Sequence, residues 1–223
     1  MRRIISWLLD LIYPPKCVFC RSLLGENETD LCRNCRASLP KVEKMLRKGE
    51  FFTECVSVYY YDELVRESLH RFKFQSMEQY ATAYGRLIAM DILSKELSFD
   101  VLTWVPISRK RRRERGYDQA KLLAEAVAKE LHLTCTETLR KDRHNPAQSL
   151  QPTAAARKAN VLGVYSVVSP QSIADKRVLL IDDIITTGAT LSECSRVLCT
   201  AGAKSVCCAT LAAVRVDTGK NKQ

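Results

Sequence analysis

No stretch of this sequence is apolar for long enough to cross a bilayer, which takes about 20 residues. The segment 2–13 carries Ile4, Ile5, Trp7, Leu8, Leu9, Leu11 and Ile12, but Asp10 interrupts it and Pro14-Pro15 follows. It lacks a small-residue cleavage site, so it makes a poor secretory signal. It reads either as a helix lying on a membrane surface or as one packed on its own protein. No integral membrane segment is expected. Also missing are G-x-x-x-x-G-K-[ST] and G-x-G-x-x-G, which removes the main support for P-loop kinase and dinucleotide-binding readings. No internal repeat appears. Acidic residues are in short supply: 25 Asp and Glu face 35 Lys and Arg, a formal charge of +10. Such an excess points to an anionic ligand or partner, whether phosphate, nucleic acid or a membrane surface, and does not choose among them. At 223 residues, 46% hydrophobic and 27% charged, the chain can form one α/β domain and a small accessory module.

Cysteine is not scarce. Six of the ten, Cys55, Cys135, Cys194, Cys199, Cys207 and Cys208, fall within apolar strand or helix patterns, where a free thiol packs as a small hydrophobe. The other four form two C-x-x-C pairs, Cys17/Cys20 and Cys32/Cys35, with eleven residues between them. That spacing suits four thiolates on one tetrahedral zinc ion, each pair closing a tight knuckle. A redox dithiol would not be doubled in a Gly/Asn/Asp-rich stretch. Together these points favour a reducing, cytoplasmic setting over a disulfide framework, with membrane-peripheral attachment left open by segment 2–13.

Residues 178–190 carry the most chemistry. Val178, Leu179, Leu180 and Ile181 form an apolar run typical of a buried parallel strand. Asp182 and Asp183 follow, then Thr186, Thr187, Gly188, Ala189 and Thr190. A helical pattern begins there, with Leu191, Cys194, Val197 and Leu198 on one face and Gly202 as a stop. A strand that passes through a Thr/Gly loop into a helix N-terminus cradles a phosphate, because backbone N–H groups, hydroxyls and the helix dipole all favour an anion. Two carboxylates at the strand's end accept hydrogen bonds from a pair of hydroxyls or sit near a metal. A phosphate beside a diol is a ribose 5-phosphate.

Strands are expected at 56–61, 101–105, 164–168, 177–181 and 206–214, alternating with helices after the Asp62 cap, at 78–93 and at 117–131. This order predicts an α/β fold built on a parallel sheet with right-handed crossovers. Domain boundaries follow: a short amphipathic helix at 1–13, a zinc module at 14–40, a connector at 41–54, the main domain at 55–216 and a polar tail at 217–223. A basic loop is expected at 106–119, where residues 109–115 hold six cations and one Glu. Beyond a strand's carboxyl end it is placed to meet a pyrophosphate, to follow a nucleic-acid backbone, or to be a solvated basic face. Phe72, Phe74 and Tyr117 lie near these cations as candidate base-stacking residues, with core packing the alternative for Phe72.

Residues 178–190 resemble the phosphoribosyl-diphosphate (PRPP) signature of type I phosphoribosyltransferases. The resemblance implies that Asp182 and Asp183 hold the ribose hydroxyls at the catalytic centre, that Thr186, Thr187, Gly188, Ala189 and Thr190 hold the 5-phosphate, and that Mg²⁺ accompanies PRPP. The wider chain is similar to the ComF family, in which a four-Cys zinc module precedes such a domain. The similarity is carried by Pro14-Pro15-x-Cys17, Leu39-Pro40, His70-Arg71-Phe72-Lys73, the stretch from Val105-Pro106 to Arg115-Gly116-Tyr117-Asp118-Gln119, Arg140 to Gln148, and Arg157-x-x-Asn160. It implies a zinc- and PRPP-binding protein linked to competence and DNA uptake, with pyrophosphate candidates Lys73, Ser108 and Arg109. Arg111, Arg112, Arg113 and Arg115 are the nucleic-acid candidates. Partners implied are PRPP, single-stranded DNA and other competence proteins. Two readings follow: transfer of phosphoribosyl to a nitrogen nucleophile, or a non-catalytic PRPP sensor or DNA-binding factor. Asp118 departs from the family's usual Asn, and Asn145 stands near a position often occupied by Thr.

Overall fold

The computed structural model describes residues 14–43, 48–143, 153 and 159–215. The segment 2–13, the polar tail, Asn145 and Arg157 lie outside the described residues.

The zinc module comes first, with one short helix, α1 (Arg33–Ser38). The main domain follows as β1 (Cys55–Tyr60), α2 (Glu63–Phe74), α3 (Tyr80–Ser94), β2 (Val101–Trp104), α4 (Arg109–Arg115), α5 (Gln119–Glu130), β3 (Leu139–Lys141), β4 (Tyr165–Val167), β5 (Arg177–Ile185), α6 (Ala189–Thr200) and β6 (Ser205–Ala213). Four strands form a parallel sheet in the order β1-β6-β5-β2. The α/β expectation therefore holds. The strand expected at 164–168 does not join that sheet. As β4 it pairs antiparallel with β3, a strand not anticipated, to make a separate two-stranded hood. A strand as short as β3 carries no visible period, so only its pairing with β4 reveals it.

Alternation along β5 and β6 divides the core. Leu179, Ile181, Cys207, Ala209 and Leu211 pack with the helices of one face. Val178, Leu180, Val206 and Cys208 pack with α6 and the hood on the other. Burying both faces is what makes the strands read as continuous apolar runs. Buried hydroxyls pair across the core, Ser57 with Thr210 and Thr103 with Thr138, each at 2.7 Å. Pro40 and Val42 cover the outer edge of β1, with Tyr60 N–H donating to Pro40 O and Val42 N–H to Val58 O. This blunts an otherwise open edge strand.

Two other expectations change. β5 runs to Ile185, so Asp182 and Asp183 lie inside the strand rather than past its end. The reason is β6, which continues the ladder through Asp182↔Thr210 and Ile185↔Ala213. The basic loop is largely helix. Ser108 caps α4 by accepting from Arg111 N–H at 3.3 Å, and Gly116 ends it in a left-handed conformation at φ 85°. Arg and Lys are good helix formers, and exposure screens their mutual repulsion.

Candidate functional site

The knuckle geometry is set first. Cys17 N–H donates to Ser22 O at 2.8 Å and Arg21 N–H returns to Cys17 O at 2.9 Å, closing the first C-x-x-C turn. The second sits at the start of α1, where Cys32 Sγ accepts from Cys35 N–H at 3.4 Å. The four sulfurs of Cys17, Cys20, Cys32 and Cys35 all lie within 4.8 Å of one another. Tetrahedral zinc with Zn–S bonds of about 2.3 Å separates its sulfurs by about 3.8 Å, so the cluster fits one ion closely. Zinc here is structural: four protein ligands leave no open position.

The second site forms where β2 stops. β2 pairs with β5 only as far as Trp104↔Ile181, so the β5 edge beyond Ile181 opens into a crevice. The chain leaves β2 toward α5, which packs on one face, and leaves β5 toward α6, on the other. Ligands of open α/β sheets bind at such divergences. Asp183 and Asp182 stand there, and strand alternation sends them to opposite faces.

Asp183 is buried and faces α2, where Lys73 Nζ lies 2.5 Å from its Oδ2. Asp182 Oδ1 accepts from Asp183 N–H at 2.8 Å. Burial pushes the Asp182 carboxyl up to about 8, and the neighbouring Asp183 charge adds to that. At neutral pH it is therefore mainly protonated and can donate as well as accept. Across from it the hood presents Lys141, whose amino group is 3.2 Å from Tyr165 Oη and 5.0 Å from that ring's centre. Burial, with the nearby Arg111 charge, lowers the Lys141 amine to about 8. Arg111 is itself half-buried and depressed by burial and by Arg115.

The Thr/Gly loop completes the crevice. Gly188 takes φ 81° and caps α6, so Ala189 and Thr190 are the first residues of the helix. An added Cβ at Gly188 would meet nothing closer than 3.7 Å, so backbone conformation rather than space demands glycine. Thr187 Oγ1 accepts from Ala189 N–H at 3.4 Å.

The loop after β2 is pinned by Asp118. Its Oδ2 accepts from Ile107 N–H at 3.1 Å while Oδ1 caps α5 through Lys121 N–H at 3.2 Å. Both oxygens accept, which an Asp does without the amide donor an Asn would bring. Ser108 is buried at the same turn, and Arg109 is exposed beside it. Arg112 and Arg113 face solvent. Arg115 donates to Gln119 Oε1 at 2.7 Å and its guanidinium lies 4.9 Å from the Phe74 ring centre. Of the three aromatics considered for stacking, Phe72 (0% exposed) and Tyr117 (7%) belong to the core, and only Phe74 (58%) is open.

Sequence reasoning missed Lys141 and Tyr165. Lys141 falls within the Arg140–Gln148 resemblance, which implies no role for it, and only the hood's antiparallel pairing turns it toward the crevice.

A family model described as a double zinc ribbon domain matches residues 8–46, and one described as a phosphoribosyl transferase domain matches residues 118–223. The chain is thus a zinc ribbon joined to a phosphoribosyltransferase domain. Relatives align with most of this chain. The DNA utilization protein YhgH of Escherichia coli (strain K12) is 24% identical over 220 residues, covering 88% of this chain and 96% of that one. Competence protein F of Haemophilus influenzae is 27% identical over 198 residues, 86% and 82% of the two chains. Competence protein ComFC of Bacillus subtilis (strain 168) is 29% identical over 176 residues, 75% and 65%. The chain is thus similar, over most of its length, to proteins named for competence and DNA utilization. No helix among the described residues is long and apolar enough to cross a membrane.

Proposed function

We propose that this chain binds PRPP with Mg²⁺ in the β2/β5 crevice and transfers its phosphoribosyl group to a nitrogen nucleophile. The observation that carries the reading is the convergence, at one sheet edge, of the Lys73–Asp183 pair, Asp182 and the Gly188-capped start of α6. The α6 N-terminus and its Thr neighbours hold the 5-phosphate, an anchor remote from the reacting carbon that fixes its position. Asp183 accepts from a ribose hydroxyl and stabilises positive charge developing at C1 as the C1–O bond breaks. Asp182, protonated, donates to a second ribose oxygen. Lys73, Lys141 and Arg109 supply positive charge to the departing pyrophosphate. Mg²⁺, when bound with the substrate, neutralises pyrophosphate oxygens and eases their departure.

Calorimetric titration of PRPP with Mg²⁺ should give saturable binding to the wild type. Asp183→Asn should weaken it at least tenfold, consistent with losing a charge-assisted hydrogen bond of about 1.5–3 kcal/mol. Gly188→Val should do the same by straining the loop. Equal affinities in all three proteins would overturn the site. Pyrophosphate release across a panel of nitrogen bases tests transfer. Binding without release under every base makes the protein a PRPP sensor.

A second reading concerns DNA. Arg109, Lys110, Arg112 and Arg113 form an exposed basic face on α4, next to exposed Phe74 stacked by Arg115. Cations for phosphates and an aromatic for bases are the parts of a sequence-tolerant single-strand contact, in keeping with relatives named for competence and DNA utilization.

A further inference from the structure

The zinc ribbon touches the crevice through one helix. α2 carries Lys73 at its C-terminal end and rests on the first zinc knuckle one turn earlier. The Ser68 hydroxyl donates to Val18 O. The Arg71 guanidinium donates to Val18 O at 3.2 Å and to Phe19 O. Val18 and Phe19 are the two residues between the ligands Cys17 and Cys20. Their carbonyls point where they do only while the knuckle is closed. Phe19 is fully buried, its ring 5.3 Å from that of Tyr59 and 5.9 Å from that of Tyr84. Beyond Arg71, the C-terminal end of α2 is held by the Tyr117 hydroxyl donating to Phe72 O.

We infer that Arg71 is a positioning residue: it seats α2 on the zinc knuckle and thereby places Lys73 against Asp183, so that metal occupancy of the ribbon sets affinity in the PRPP crevice. Arg71 is an expensive way merely to fill space. It is 9% exposed, its Nε is buried without a hydrogen-bond partner, and its nearest carboxylate, on exposed Glu67, is 3.9 Å away. An apolar side chain of similar volume packs at lower cost. What guanidinium adds is direction, two hydrogen bonds aimed at the carbonyls of a metal-closed turn. Lys73 lies two residues further along the same helix, so movement of this seat moves its amine. A displacement of about 1 Å at a binding group is enough to cost a large factor in function.

The affinity arm of the test rests on the PRPP reading; the exchange arm does not. In full-length, zinc-loaded protein, PRPP with Mg²⁺ is titrated into wild type, Arg71→Met, Lys73→Met and the double variant. Arg71→Met should weaken binding at least tenfold with zinc content and a cooperative melt retained, and should add less than twofold in the Lys73→Met background. Arg71→Lys, keeping one donor, should recover part of the loss. An equal loss in both backgrounds makes Arg71 a stability residue only and overturns the inference. Amide hydrogen exchange is followed in the same proteins, and in wild type stripped of zinc by a chelator and then reloaded. Exchange across 69–74 should speed up in Arg71→Met and on stripping, and recover on reloading, while 119–130 stays protected. Unchanged exchange at 69–74 overturns the inference. If wild type does not bind PRPP, the proposed function fails and the exchange result alone decides the coupling.

Discussion

Asp182 and Asp183 are neighbours in sequence with different physical lives. One faces Lys73 across the α2 side, while the other lies half-buried on the hood side with its carboxyl pushed up to about 8 by burial and by Asp183. An ordinary carboxylate in the unfolded chain titrates near 4. Between those values the folded protein holds a proton that the unfolded chain lacks, so Asp182 costs stability as pH rises from about 4 to about 8. Asn does not titrate. Asp182→Asn should therefore melt higher than wild type, with the gap growing up to about pH 8 and then level, about 2–4 °C for each kcal/mol gained. The same variant should bind PRPP less well, a trade of function against stability that melts and calorimetry read together. A Tm difference independent of pH would contradict the buried-acid account. Lys141 gives a complementary prediction. Its amine titrates near 8, so an anion bound beside it should draw in a proton. At pH 8 the measured binding enthalpy should depend on the buffer's ionisation enthalpy, with net proton uptake that falls in Lys141→Met. The paired acids were readable from sequence because adjacent carboxylates after an apolar run are a local pattern. Their separation onto two faces was readable in principle too, from period-two alternation. Their unlike protonation was not, because it depends on what covers each face.

At the scale of elements, α4 divides its own arginines. Arg112 and Arg113 face solvent, whereas Arg111 turns toward the hood and lowers the Lys141 amine. Charge reversal should separate the two roles. Arg112→Glu with Arg113→Glu should weaken single-stranded DNA binding and flatten the slope of log K against log salt, leaving PRPP affinity within about twofold. Arg111→Glu should instead weaken PRPP binding. Fluorescence titrations over a salt series, beside calorimetry, read both; a double variant with an unchanged salt slope moves any DNA contact elsewhere. The sequence presents these cations as one undivided run. A helical period laid over seven residues sorts them into inner and outer faces, and only packing of the hood identifies which face is inner.

At the scale of the molecule, two units with different sources of stability share one interface. The sheet is held by two-sided apolar burial, with Leu179, Leu180 and Ile181 fully enclosed. The ribbon has little core beyond Val18, Phe19, Leu31, Leu39 and the thiols of Cys17, Cys32 and Cys35, so metal binding supplies most of its folding energy. Cys32→Ser should lose zinc and unfold the ribbon while the sheet keeps a cooperative melt. Metal analysis with circular dichroism checks both, and zinc-free wild type purified without chelator would remove the metal assignment. What the sequence by itself determined is whatever rests on short-range rules: four cysteines in two knuckles, a strand–acid–Thr/Gly–helix passage, and alternating strands and helices that close into a parallel sheet. The tertiary structure alone decided which side chains meet. It separated the hood from the sheet, brought Lys141 from a three-residue strand to face Asp182, and laid Arg71 across the carbonyls of a turn more than fifty residues away. Those pairings follow from packing between distant segments, and no local spacing encodes a contact whose partners are chosen by burial.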